Sequence, residues 1–311
     1  MILLFCAPAA LKAQTKPPEE PIPAVLALPK QLFDAGKYSQ VITALSSETM
    51  QKMSGYSLRR ATLYLAESYQ RTRQLDRALS VYQLGIKLFP RDVELLIGLA
   101  KLFHDSRLEE QARPLYNRIL DLEPGNIPAH LGLAEIDRAL GFLSRSADHY
   151  EVALEHLENN ADVWREYAEV LYQQKEYKTA ELAINKSLAL SPQVIDSKLD
   201  LAFIERGAGR LDEALLTLEK ILTLTGRQSD LTLTDALWLI EASRFEEAQA
   251  EAQEVLKGSP SNALAHWIYA RASLPYGRRE AAVRHLKEAV ADSSEDSFIA
   301  RASAKLLKAI Q

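Results

Sequence analysis

The stretch Arg59–Asp92, RRATLYLAESYQRTRQLDRALSVYQLGIKLFPRD, decides the fold, because its spacing of large, small and proline residues recurs downstream. With its residues numbered 1 to 34, Leu65, Ala66 and Tyr69 occupy positions 7, 8 and 11, and Ala78, Tyr82 and Pro90 occupy positions 20, 24 and 32. The same template begins again, at a strict 34-residue step, at residues 93, 127, 161, 195, 229 and 263. Seven units therefore share one register, with no insertion or deletion between them.

Position 8 reads Ala66, Ala100, Ala134, Ala168, Ala202, Ala236 and Ala270. Position 20 reads Ala78, Ala112, Ser146, Ala180, Ala214, Ala248 and Ala282. Two antiparallel helices cross closely only where one offers a small side chain to a larger one opposite, and a larger residue there over-packs the contact. Tyr69, Phe103 and Leu171 at position 11, and Tyr82, Tyr116 and Tyr150 at position 24, supply the bulk. Proline at position 32 (Pro90, Pro124, Pro192 and Pro260) stops the second helix, since it lacks an N–H and disfavours helical geometry just before it. Each unit is thus predicted to be helix, turn, helix, stop.

This pattern resembles the tetratricopeptide repeat. The resemblance implies an all-α fold, a right-handed α-solenoid of about eight repeats plus a C-terminal capping helix. The chain divides accordingly: a signal peptide over 1–13, a Pro-rich linker over 14–24, a degenerate first repeat over 25–58, seven tandem repeats over 59–296 and the cap over 297–311. The first repeat is anchored by Gly36 and Tyr38, and Pro29 stands where its small residue belongs, so its first helix is expected to be short or to begin late. The cap places Ala300, Ser303, Ala304 and Leu307 on a packing stripe, with Arg301, Lys305 and Lys308 exposed. In the unit at 229, Asp235 and Ala252 replace bulky core residues at positions 7 and 24, and Trp238 is expected to fill the lost volume.

The segment MILLFCAPAALKAQ has an apolar run from Ile2 to Leu11 followed by Lys12 and Ala13, the layout of a signal-peptide core and cleavage region. Ten or so helical residues span about 15 Å, half of a bilayer's hydrocarbon thickness, so no transmembrane span is expected after cleavage. A periplasmic or secreted location follows, with a cytoplasmic one as the alternative. Removal of the segment takes away Cys6, the one cysteine, so the mature chain needs no disulfide.

The net charge of −5 lacks the basic excess that is the usual footprint of nucleic-acid binding. The charge is uneven. Residues 121–260 hold 13 basic and 26 acidic side chains, between mildly basic ends. There is no Gly-rich phosphate loop, no H-E-x-x-H, no Cys/His cluster and no G-x-S-x-G elbow, and the six histidines are scattered along the chain. No catalytic, cofactor-binding or metal-binding residue is therefore assigned, and an enzyme is the least supported class.

Binding is the better-supported class. In the first helix of each unit, positions 2, 5, 9 and 12 form a second stripe beside the packing stripe. In the family this stripe lines a concave groove. From residue 127 to residue 228 it and its flanks carry Glu135, Asp162, Glu166, Glu169 and Asp200, with Arg138, Arg165 and Arg206 interspersed and Phe203 at position 9. In the units at 229 and 263 come Leu233, Leu237, Ile240, Trp267 and Ile268. An acidic zone runs into an apolar one, which suits a partner segment that is basic and amphipathic.

One groove known in the family grips a C-terminal carboxylate with Lys and Asn at positions 5, 6 and 9. Here those positions hold Leu63, Tyr64 and Glu67, then Ile97, Gly98 and Lys101, so that clamp is absent. The expected function is a protein-interaction scaffold of the cell envelope. The alternatives are a repeat subunit of an exopolysaccharide or cellulose synthesis or export system, and a cytosolic adaptor.

Overall fold

The computed structural model describes residues 23–294 and 297–310, all of whose regular structure is helical. The proposed signal peptide at 1–13 and most of the linker at 14–24 lie outside the described residues. Among the described residues no helix is long and apolar enough to cross a membrane.

The chain falls into two compact units that meet between Pro124 and Gly125. The first contains α1 (Ala24–Asp34), α2 (Tyr38–Ala44), α3 (Ser47–Gln51), α4 (Gly55–Arg71), α5 (Leu75–Leu88), α6 (Val93–Asp105) and α7 (Glu109–Leu122). In the second, α8 (Ile127–Ala139) and α9 (Leu143–Leu154) are followed by α10 (Ala161–Gln173) and α11 (Tyr177–Leu190), then α12 (Ile195–Gly207) and α13 (Leu211–Thr225). It continues with α14 (Ser229–Glu241), α15 (Phe245–Gly258), α16 (Ala263–Ser273), α17 (Arg279–Ala291) and α18 (Phe298–Ile310). Within each unit, a helix packs on its pair-mate and on the next pair, which is the stacking that the 34-residue register predicts.

The small residues sit where close crossing needs them. All seven residues at position 8 and all seven at position 20 are fully buried. At the one exception to alanine, Ser146 Oγ donates to the Ala134 carbonyl at 2.8 Å, so a position-20 hydroxyl is satisfied by the backbone of position 8. Tyr82, Tyr116 and Tyr150 are buried at position 24, as are Ile184, Leu218, Ala252 and Leu286.

Helix ends follow the same period. At position 34 the side chains of Asp92, Asn126, Asn160 and Asn262 accept from backbone N–H groups of the following first helix, whereas Val194 and Gln228 provide no such cap. At position 15 the backbone is left-handed in every unit: Gly141, Gly209 and Gly277 take it freely, while Arg73, Arg107, Lys175 and Ser243 take it with a side chain. The second helices followed by proline, α5, α7, α11 and α15, all stop two residues before it. Without that stop, α13 runs on to Thr225 and is closed by left-handed Gly226.

Helix α1 runs from Ala24 to Asp34, two residues shorter than α6, α8, α10 and α12, as expected of a first helix with proline in place of its small residue, and Pro29 lies inside it. Two details differ from expectation. In the cap Ala304 is exposed, and Leu306, Leu307 and Ile310 complete the contact with α16 and α17. Trp238 packs with Ala202, Leu215 and Leu218, edge-on to Phe203 at 5.2 Å, so it joins the preceding repeat's core instead of filling the space beside Ala252.

Candidate functional site

The second unit carries all the acidic and apolar residues assigned to the groove, and its first helices place them in two sets. Glu135 on α8, Glu166 and Glu169 on α10 and Asp200 on α12 are half-buried, while Asp162 at the start of α10 and Phe203 on α12 are exposed. The acidic set is cross-linked along the stack. Arg138 Nη1 donates to Glu169 at 2.9 Å, Arg165 Nη1 to Asp200 at 3.4 Å, and Arg206 binds Glu241 through Nε and Nη2 at 2.9 and 2.7 Å. Each pair joins one first helix to the next, so part of the acidic zone is spent holding neighbouring repeats in register.

The carboxyls of this zone are electrostatically crowded. Burial pushes Glu166 above the usual carboxylate range and nearby Glu135 adds to the shift, although the Tyr150 hydroxyl donates to it at 3.3 Å. Asp200 is raised by burial too, against the pull of Arg165. Such groups are suited to accept a cation or a hydrogen-bond donor from outside.

The apolar set is less accessible than expected. Leu233 and Ile268 are buried together with Ala236, Ala252, Val255 and Ala265, because the alanines at positions 8 and 24 draw these side chains into the interhelical core. Leu237 and Ile240 are half-buried against the cores on both sides of α14. Trp267 is half-buried with Arg271 above its ring at 5.9 Å, and its indole N–H is buried without a hydrogen-bond acceptor. Among the apolar residues assigned to the groove, the exposed one is Phe203. There a cleft of about 220 Å³ is lined by Glu169, Tyr172, Gln173, Asp200, Phe203 and Ile204, where the acidic and apolar residues meet.

The first unit holds a larger cleft, about 820 Å³, that its sequence did not single out. Leu63, Glu67 and Gln70 of α4 face Ile97, Gly98 and Lys101 of α6 across it, with Arg71 and Asp105 also lining it. The signal was Gly98. A Cβ there would stand 2.3 Å from the Tyr82 ring, so only glycine admits that tyrosine beneath the stripe. Burial also raises the Glu67 carboxyl.

Helix pairs with this register match models of the tetratricopeptide repeat over residues 59–102, 131–195 and 236–297. The chain belongs to the tetratricopeptide-repeat family. It is 23% identical to Tetratricopeptide repeat protein 8 of Caenorhabditis elegans, over 48% of this chain and 37% of that protein. It is 25% identical to a TPR repeat-containing protein of Methanocaldococcus jannaschii, over 48% of this chain and 28% of that one. The chain thus spans about a third of the length of these curated relatives. Among solved structures, the C-terminal part of a TPR repeat-containing protein from Cytophaga hutchinsonii superposes with a TM-score of 0.64 at 16% identity, covering 76% of this chain and 96% of that one. PilF of Pseudomonas aeruginosa gives 0.52 at 20% identity, covering 69% and 97%. These likenesses establish a tetratricopeptide fold, whose general use is to hold protein partners.

The histidines do gather, contrary to expectation. His130 Nδ1 lies 2.9 Å from His149 Nδ1, and His266 Nδ1 lies 2.8 Å from His285 Nδ1. Both pairs join positions 4 and 23 of one tetratricopeptide unit, a match visible in the sequence only once the helices are paired. Among the described residues no three His, Cys, Asp or Glu side chains converge as a metal site.

Proposed function

We propose that this tetratricopeptide protein is a non-enzymatic scaffold of the cell envelope, whose first-helix stripe holds a partner segment carrying basic and apolar residues. The observation that carries this reading is the cleft at Phe203, where exposed aromatic surface adjoins the carboxylates of Glu169 and Asp200. An apolar side chain entering the cleft is buried against Phe203 and Tyr172. A lysine or arginine one turn away meets Glu166 or Glu169, adding to the arginines that already face these carboxylates. The apolar run from Ile2 to Leu11, followed by Ala13, supports export and cleavage near Gln14. N-terminal sequencing of protein from the native cell tests that part, and an intact Met1 on cytoplasmic protein contradicts it.

The binding reading is tested with synthetic peptides that alternate lysine with phenylalanine, by surface plasmon resonance. Salt screens exposed charges over about 8 Å at physiological strength and slows association. Phe203→Ala instead speeds dissociation, by roughly thirtyfold if the ring supplies about 2 kcal/mol as a buried aromatic anchor does. Equal affinities for wild type and Phe203→Ala, with helicity unchanged, reject the cleft as the binding site.

A further inference from the structure

Position 7 of the first helix is leucine or tyrosine in six of the seven tandem units: Leu65, Leu99, Leu133, Tyr167, Leu201 and Tyr269. In the unit at 229 it is Asp235. This carboxylate is 5% exposed, accepts no hydrogen bond and stands in no ion pair among the described residues. It lines a cavity of about 530 Å³ bounded by α13, α14 and α15, which shares no residue with the cleft at Phe203. A buried carboxylate facing open space without a partner is costly unless a cation joins it.

The cations already nearby are engaged elsewhere. Arg227, in the turn before α14, binds Glu251 of α15 and Glu219 of α13, with all four contacts between 2.7 and 2.9 Å. Arg244, in the turn after α14, binds Glu247 of α15 at 2.5 to 2.7 Å. Five carboxylates, with Asp212 of α13 completing the set, therefore surround two guanidinium groups. Leu215, Leu216, Leu239 and Ala250 form apolar walls beside them. Charge and wall together match a positive head on an aliphatic stem. No three ligating side chains converge as a metal site there, so an organic cation fits the cavity better than a metal ion.

We infer that this cavity binds an alkylammonium group, carried either by a partner's lysine or by a free aliphatic amine, with Asp235 as its counter-ion. Burial, followed by the nearby charges of Glu251 and Glu219, raises the Asp235 carboxyl to about 7, against the weaker pull of Arg227 and Arg244. An entering ammonium displaces that proton, so binding strengthens as pH rises from 6 to 8.

The test is titration of the isotope-labelled full chain, followed by NMR, with n-butylammonium chloride and with lysine capped at both its α-amino and carboxyl groups. The expected result is saturable binding at pH 8 that shifts resonances of α13 to α15 and weakens at pH 6. Asp235→Asn should weaken it by about tenfold or more, the scale of a lost charge-assisted hydrogen bond. Ala250→Trp, which keeps Asp235 but fills the cavity, should abolish it. Tighter binding of the capped lysine assigns the site to a protein partner, and tighter binding of butylammonium assigns it to a free amine. Failure of both probes to bind at pH 8, or equal binding by a folded Asp235→Asn variant, overturns the inference.

Discussion

His266 Nε2 donates to the Pro260 carbonyl at 2.8 Å, while its Nδ1 faces His285 Nδ1 at the same distance. When both rings are neutral, His266 therefore carries its proton on Nε2, and His285 Nδ1–H must donate to His266 Nδ1. Burial and then the neighbouring His266 lower the His285 pKa to about 4, and Tyr269 stacks on its ring at 4.0 Å. His149 is lowered likewise, by burial and then by neighbouring His130. The folded chain thus resists a proton that the unfolded chain accepts near pH 6.5. The stabilisation is complete above about pH 6.5 and is lost as pH falls towards 4. Thermal unfolding should show the melting temperature dropping across that window, and His285→Phe, which preserves the stack, should flatten the drop.

Asp235 has the opposite sign. Its carboxyl is raised to about 7, so the folded state keeps a proton that the unfolded state has released, and stability falls as pH rises from about 4 through 7. Asp235→Asn, which is never charged, should raise the melting temperature at pH 8 and leave it nearly unchanged at pH 4. An Asn variant less stable than wild type at pH 8 would contradict the unpaired carboxylate.

Ala180 at position 20 is fully buried in the core shared by α10 and α11. Ala180→Leu should destabilise by about 1 to 3 kcal/mol through over-packing. Lys175→Ala, in the turn just before it, should do little. Chemical denaturation of the two variants separates these outcomes.

The helix caps predict a reciprocal pair. Asn160 accepts from the N–H groups of Asp162 and Val163, so Asn160→Ala should cost about 1 kcal/mol. Val194 occupies the same register position without a cap, and Val194→Asn should recover a similar amount. Denaturant midpoints with unchanged slopes are the measurement.

The helix-pair fold was legible because Ala66, Ala78, Pro90 and their counterparts recur at one spacing, and backbone packing depends directly on their size. The site was legible only in part. Glu169 and Asp200 lie on the expected stripe, but a 34-residue register says nothing of which arginine on the neighbouring helix will reach them. Helix periodicity alone puts Leu233 and Ile268 on the surface, whereas the small residues opposite them determine that they turn inward. The histidine pairs join positions 4 and 23, nineteen residues apart on paired helices, a contact that no short motif encodes.

The most direct test of the central claim, that the first-helix stripe is the partner-binding face, is site-specific photocrosslinking in the native cell. A benzophenone amino acid is placed at Phe203 on α12 or at Leu182 on α11, both of which are exposed, at 38% and 70%. Phe203 should form a crosslink to a discrete polypeptide, at a segment carrying lysine or arginine next to apolar residues, and Leu182 should not. Crosslinking from Leu182 with none from Phe203 would move the binding face to the second helices.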